Sequence, residues 1–124
     1  PAPEAPFTLR FESYPASEAD YFVDPDSPDS RIVNLARLAD PDEEPAPDVY
    51  ARRAGQLALC AAASCFGLEP CPFPLCVHLS HRRPSYLDSM SRNLCPPCRD
   101  RLISAANAKG LALLPAVPSA PAAP

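Results

Sequence analysis

The chain has 124 residues, 19 of them proline and three glycine, with a formal net charge of −4. That length supports one small domain, two at most. No stretch reaches the about 20 consecutive apolar residues that span a membrane as a helix, and the N-terminal PAPEAPFTLRFESYPASEAD has no basic start followed by an apolar run, so no secretory signal is read there.

Charge is divided unevenly. Residues 1–50 hold 12 acids and three bases, net −9, whereas residues 51–124 hold three acids and eight bases, net +5. A basic half can signal nucleic acid. Here Arg82, Arg83, Arg92, Arg99 and Arg101 lie between or just after four cysteines, where they would offset thiolate charge. Nucleic acid is therefore not an expected partner.

Each proline removes a backbone donor and fixes one torsion, so regular structure is sought between prolines. Short strands are expected around 7–12 and 20–23. Residues 31–38, RIVNLARL, read as a strand with Ile32, Asn34, Ala36 and Leu38 on one side and Val33 and Leu35 on the other. The acidic loop ADPDEEPAPD follows. Asp48, after Pro47, is a candidate N-cap for a helix reaching about Cys65, with Tyr50, Ala54, Leu57, Ala58, Ala61 and Cys65 on one face. Its second half, LALCAAASCF, is apolar almost all round, which predicts a central buried helix. Gly67 is placed to end it in a left-handed turn. Ser85 and Asp88 resemble a capping box, with Leu87, Met90 and Leu94 at helical spacing behind them. A last helix over about 98–109 would bury Leu102, Ile103 and Ala106, with Gly110 just after it.

Six cysteines stand at 60, 65, 71, 76, 95 and 98. Six could pair in 15 ways as disulfides. The spacing favours a metal: Cys71 and Cys76 are separated by four residues, Cys95 and Cys98 by two, and 18 residues lie between the pairs. A tetrahedral ion takes two ligands from each of two turns, and spacers of two to four residues bring both sulfurs of a pair onto one ion. Prolines 72, 74, 96 and 97 pre-bend both turns and lower the cost of ordering them. The rival, a redox C-x-x-C, leaves the upstream pair unexplained. One structural zinc held by Cys71, Cys76, Cys95 and Cys98 is the expectation, with Cys60 and Cys65 as buried thiols.

From RIVNLARL at 31–38, through FGLEPC at 66–71 and C-PFPL-C-V at 71–77, to LCPPCRDRL at 94–102, the chain resembles the archaemetzincin family of zinc metalloproteases. That family carries a strand ending like V-x-L-x-R-L, a helix with H-E-x-x-H-x-x-G-x-x-H-C, then C-x-x-x-x-C-x-M and a final C-x-x-C. The resemblance covers about residues 31–105. It implies an α+β, truncated metzincin-like (zincin) fold with a central helix and a C-terminal four-cysteine zinc subdomain.

The catalytic half of the family pattern is missing. Aligned on Gly67, the first histidine falls on Cys60, the glutamate on Ala61, the second histidine on Ser64, the third on Pro70 and the methionine on His78. Histidines at i and i+4 share a helical face and can reach one metal. A catalytic zinc needs three protein ligands and an open position for water, whose proton the glutamate then takes. Serine is a poor ligand, proline offers no side-chain donor, and alanine cannot accept a proton.

The reading is a catalytically inactive archaemetzincin-like protein with one structural zinc and a binding or regulatory role toward an unknown protein or peptide partner. The alternatives are a divergent zinc metallopeptidase with a metal site rebuilt from Cys60, His78 and His81, and a zinc-ribbon-like interaction module over 71–105. The expected organisation is an acidic, proline-rich, partly disordered segment 1–30, the archaemetzincin-like domain 31–110, and a disordered Pro/Ala tail 111–124. Metal-type cysteine spacing and no membrane segment predict an intracellular protein, cytoplasmic or nuclear.

Overall fold

The computed structural model describes residues 7–71 and 83–110. Cys76, His78, His81 and the tail 111–124 lie outside the described residues. Three strands, β1 (Thr8–Glu12), β2 (Tyr21–Val23) and β3 (Ser30–Asn34), precede a long helix α1 (Pro47–Cys65) and a shorter helix α2 (Pro96–Ala108). The strand order is β1-β3-β2, with β1 parallel and β2 antiparallel to β3. In register, Phe11 faces Val33 and Phe22 faces Ile32. Residues 8–12 and 21–23 of the N-terminal segment thus belong to the sheet.

The strand expected over 31–38 stops at Asn34, and Leu35–Leu38 form a 3₁₀ turn instead. Asn34 is the cause. Its Oδ1 accepts from Ala36 N at 3.1 Å and from Tyr14 N at 2.9 Å, while Nδ2 donates to Tyr14 O at 3.2 Å and Ala19 O at 3.0 Å. A side chain that caps the following turn competes with continuation of the ladder. All five residues of β3 are buried, as in a strand covered on both faces.

α1 begins two residues earlier than expected, with Ala46 rather than Asp48 at the N-cap position. Pro47 occupies its first turn, where no backbone N–H is needed, and Asp48 sits inside that turn rather than capping it. There it favours the positive end of the helix. Val33, Leu38, Leu57, Ala61 and Leu87 form the core between sheet and helix, flanked by Leu9, Tyr21, Ala54 and Met90. Burying a side chain such as Val33 or Leu57 contributes about 1.5–3 kcal/mol.

The expected face of α1 is not the buried one throughout: Tyr50 is exposed, whereas Arg53 and Gln56 are buried. Gln56 Nε2 donates to Leu87 O at 2.8 Å and Ser91 O at 3.3 Å, binding α1 to the chain that leads toward Cys95. The capping box at Ser85 does not form. Residues Pro84–Ser89 are a 3₁₀ segment; Ser85 Oγ donates to Asp40 Oδ2 at 2.8 Å, and Asp88 pairs with Arg53. Across the described residues no helix is long and apolar enough to cross a membrane.

Candidate metal centre

Both chain segments that carry the cysteines are shaped by helix ends. At the C-terminus of α1, Leu68 N–H bonds Ala63 O at 3.2 Å and Gly67 N–H bonds Ser64 O at 3.0 Å. Gly67 has φ +88°, the left-handed turn that glycine adopts without a Cβ clash. The turn drives Leu68 into the protein and leads directly to buried Cys71.

Cys95 is the N-cap of α2, Pro96 and Pro97 fill its first turn, and Cys98 follows on the inward face. The helix starts two residues before the expected 98. Prolines are accepted there because the N–H groups they lack would have no intrahelical partner. Ala106 is buried as expected, Leu102 is half-buried, and Ile103 is exposed.

The two helix ends bring Cys71, Cys95 and Cys98 together. Their sulfurs all lie within 4.8 Å of one another, with Cys71 Sγ and Cys95 Sγ 3.6 Å apart. A disulfide needs about 2.05 Å. Four sulfurs at about 2.3 Å from a tetrahedral ion stand about 3.8 Å apart. The three therefore have the spacing of ligands rather than of a covalent pair, and the soft, buried sulfur set suits zinc or another thiophilic metal. They share an apolar cluster with Ala63 and Leu68, packed by Phe66, Leu94 and Leu102. α1 thus contributes to the same core as the cysteines. Arg101 Nη1 lies 3.7 Å from Cys98 Sγ.

Cys60 and Cys65 stand apart from this group. Cys60 is buried on α1, near Tyr21, whose hydroxyl is pushed up first by burial and then by the charge of Cys60. Cys65 is half-buried, its Sγ 3.8 Å from Asp29 O, and burial raises its pKa.

Among the described residues, Cys60, Ala61, Ser64 and Pro70 do not form a cluster of ligands. Ala61 lies in the hydrophobic core. Ser64 Oγ donates to Ala61 O at 2.7 Å and accepts from Arg31 Nε at 2.8 Å. Pro70 is exposed. Arg31, on β3, was not singled out by sequence reading. It is buried, and its guanidinium also donates to Ser64 O at 3.1 Å, Pro28 O at 2.9 Å and Ser30 O at 3.0 Å. A buried cation at the carbonyl end of α1 is favoured by the helix dipole, but a β-strand arginine gives no sequence sign of that partner.

Comparison with known proteins agrees with this geometry. The solved structure of archaemetzincin from Methanopyrus kandleri is similar at TM-score 0.54 and 29% identity, over 63% of this chain and 41% of that one. A zinc-dependent peptidase from Methanocorpusculum labreanum has the same fold at TM-score 0.54 and 24% identity, over 61% of this chain and 42% of that one. The chain thus spans about two fifths of the length of these neighbours. No protein-family model matches it, and no curated protein does. Over the aligned span the chain has an archaemetzincin-like α+β fold, with a three-cysteine cluster able to hold a metal ion.

Proposed function

We propose that this is a catalytically inactive, archaemetzincin-like domain in which Cys71, Cys76, Cys95 and Cys98 hold one structural zinc, and that it serves as a binding or regulatory module for a protein or peptide. The observation that carries the inactive reading is the engagement of Ser64. Where the family pattern has its second histidine, this hydroxyl is taken up by Arg31 and by Ala61 O. Beside it, the position of the general base is Ala61, fully buried in the core. Neither residue is placed or built to ligate a metal or accept a proton from water.

Zinc is supported by the sulfur spacing. Bound there, the ion would cross-link the end of α1 to the start of α2, contributing to folding rather than to chemistry. The shared packing with Ala63 and Phe66 favours a domain of which the metal centre is one part over an independent ribbon. A reducing compartment, cytoplasm or nucleus, would keep such thiols available.

The test is a peptide-library cleavage assay on the zinc-loaded chain. No turnover is expected. Cleavage abolished by a chelator, and lost in Cys60→Ala, would establish a peptidase with a rebuilt site instead.

A further inference from the structure

We propose that Arg101 is a positioning residue of the metal centre, supplying a hydrogen bond that helps to hold the Cys98 thiolate as a ligand; this rests on the proposed zinc site. Its place follows from the way α2 begins. A helix opens with four backbone N–H groups that lack intrahelical partners, and a thiolate at such an end is ordinarily stabilised by them. In α2 two of those positions are Pro96 and Pro97, which have no N–H.

Cys98 is fully buried, in an apolar cluster with Ala63 and Leu68, so water cannot solvate its charge. Arg101 lies three residues further along α2, on the same face, and brings Nη1 to 3.7 Å from Cys98 Sγ. Arg101 is itself exposed, so one side of its guanidinium stays hydrated and a single N–H is spent on the sulfur. Four thiolates around a divalent ion carry about −2. A cation bonded to one of them stabilises the whole centre, as outer partners of metal ligands do.

The experiment uses the full chain loaded with zinc, in wild-type, Arg101→Met, Arg101→Lys and Arg99→Met forms. Zinc release to excess EDTA is followed with a zinc-binding dye, and the sulfur-to-metal charge-transfer band is recorded after cobalt(II) substitution. Arg101→Met is expected to release zinc about tenfold faster, the lower end of the range for outer-shell changes, with a shifted cobalt band. Arg101→Lys restores part of the rate, and Arg99→Met, with the same change in net charge, behaves as wild type. Wild-type release and an unshifted band in Arg101→Met would overturn the assignment, as would equal acceleration in Arg99→Met. A wild-type chain that takes up no zinc would overturn the metal-centre reading itself, a distinguishable failure.

Discussion

Arg53 and Asp88 meet across the joint between α1 and the 3₁₀ segment, with Nε to Oδ1 at 3.0 Å and Nη2 to Oδ2 at 2.7 Å. The same guanidinium reaches Glu43 through two bonds of 2.9 Å and Leu38 O at 2.8 Å. Arg53 is only 1% exposed. One side chain therefore ties α1 to the acidic loop after β3 and to the segment that leads into Cys95. Its forked donors match carboxylates pairwise, which a lysine could not do.

Arg53→Met is expected to destabilise the protein by about 2–4 kcal/mol. That is near or below the cost of breaking a fully buried pair, because Asp88 and Glu43 keep contact with water. Arg52 bonds the same Asp88 at 2.6 Å but is 34% exposed, so Arg52→Met costs about 1 kcal/mol or less. Urea midpoints of the two variants measure both values, and equal losses would contradict the assignment.

The clamp is acid-sensitive. Hydrogen bonds from Arg53 hold the Asp88 and Glu43 carboxyls below the usual range. Burial pushes Asp40 up, but hydrogen bonds from Ser85 and Arg83 outweigh it and its pKa is also lowered. A carboxyl with a depressed folded pKa stabilises fully above its unfolded value of about 4 and loses that contribution as pH falls through the folded value. The stability difference between wild type and Arg53→Met should be constant from about pH 7 to pH 5 and shrink below about pH 4. Urea titrations at each pH measure it. Metal loss on acidification affects both proteins and cancels in the difference, so a gap that stays constant into strong acid would contradict the clamp.

Asn34 ends β3 and, from a buried side chain, fastens the chain around Tyr14 through part-buried bonds. Asn34→Ala leaves several backbone groups of residues 14–19 and 36 without that partner. The expected loss is about 2–3 kcal/mol, since an unmet buried donor or acceptor costs about 1–3 kcal/mol and some regain water. Hydrogen exchange at Tyr14 and Ala36 amides, slow in wild type, should become fast.

Cys98→Ser should abolish metal uptake and lower thermal stability, because Cys98 is one of the three clustered sulfurs. Cys65→Ser should keep the metal and change stability little, its sulfur lying outside that group. Metal analysis with thermal unfolding of both variants checks the contrast.

Much of this was legible in the sequence. Cysteine spacing pointed to four ligands, of which Cys71, Cys95 and Cys98 cluster among the described residues, and proline and glycine marked the ends of both helices within one or two residues, since those residues act through local backbone geometry. Arg53, Gln56 and Arg31 were not legible. Charged or amide residues in a helix or at a strand start ordinarily face water. What buries these three is supplied from a distance: Asp88 and Glu43 for Arg53, the 87–91 carbonyls for Gln56, and the end of α1 for Arg31. The strand over 31–38 was overread for a similar reason, because Asn34 stops it through Tyr14, 20 residues away.

The central claim is a single, structural, all-sulfur metal centre in a fold that has lost its catalytic ligands. Zinc content of the purified full chain, combined with X-ray absorption at the zinc edge, tests it most directly. The account predicts one zinc per chain with four sulfur ligands at about 2.3 Å. No zinc, a second equivalent, or nitrogen ligands at about 2.0–2.1 Å would contradict it.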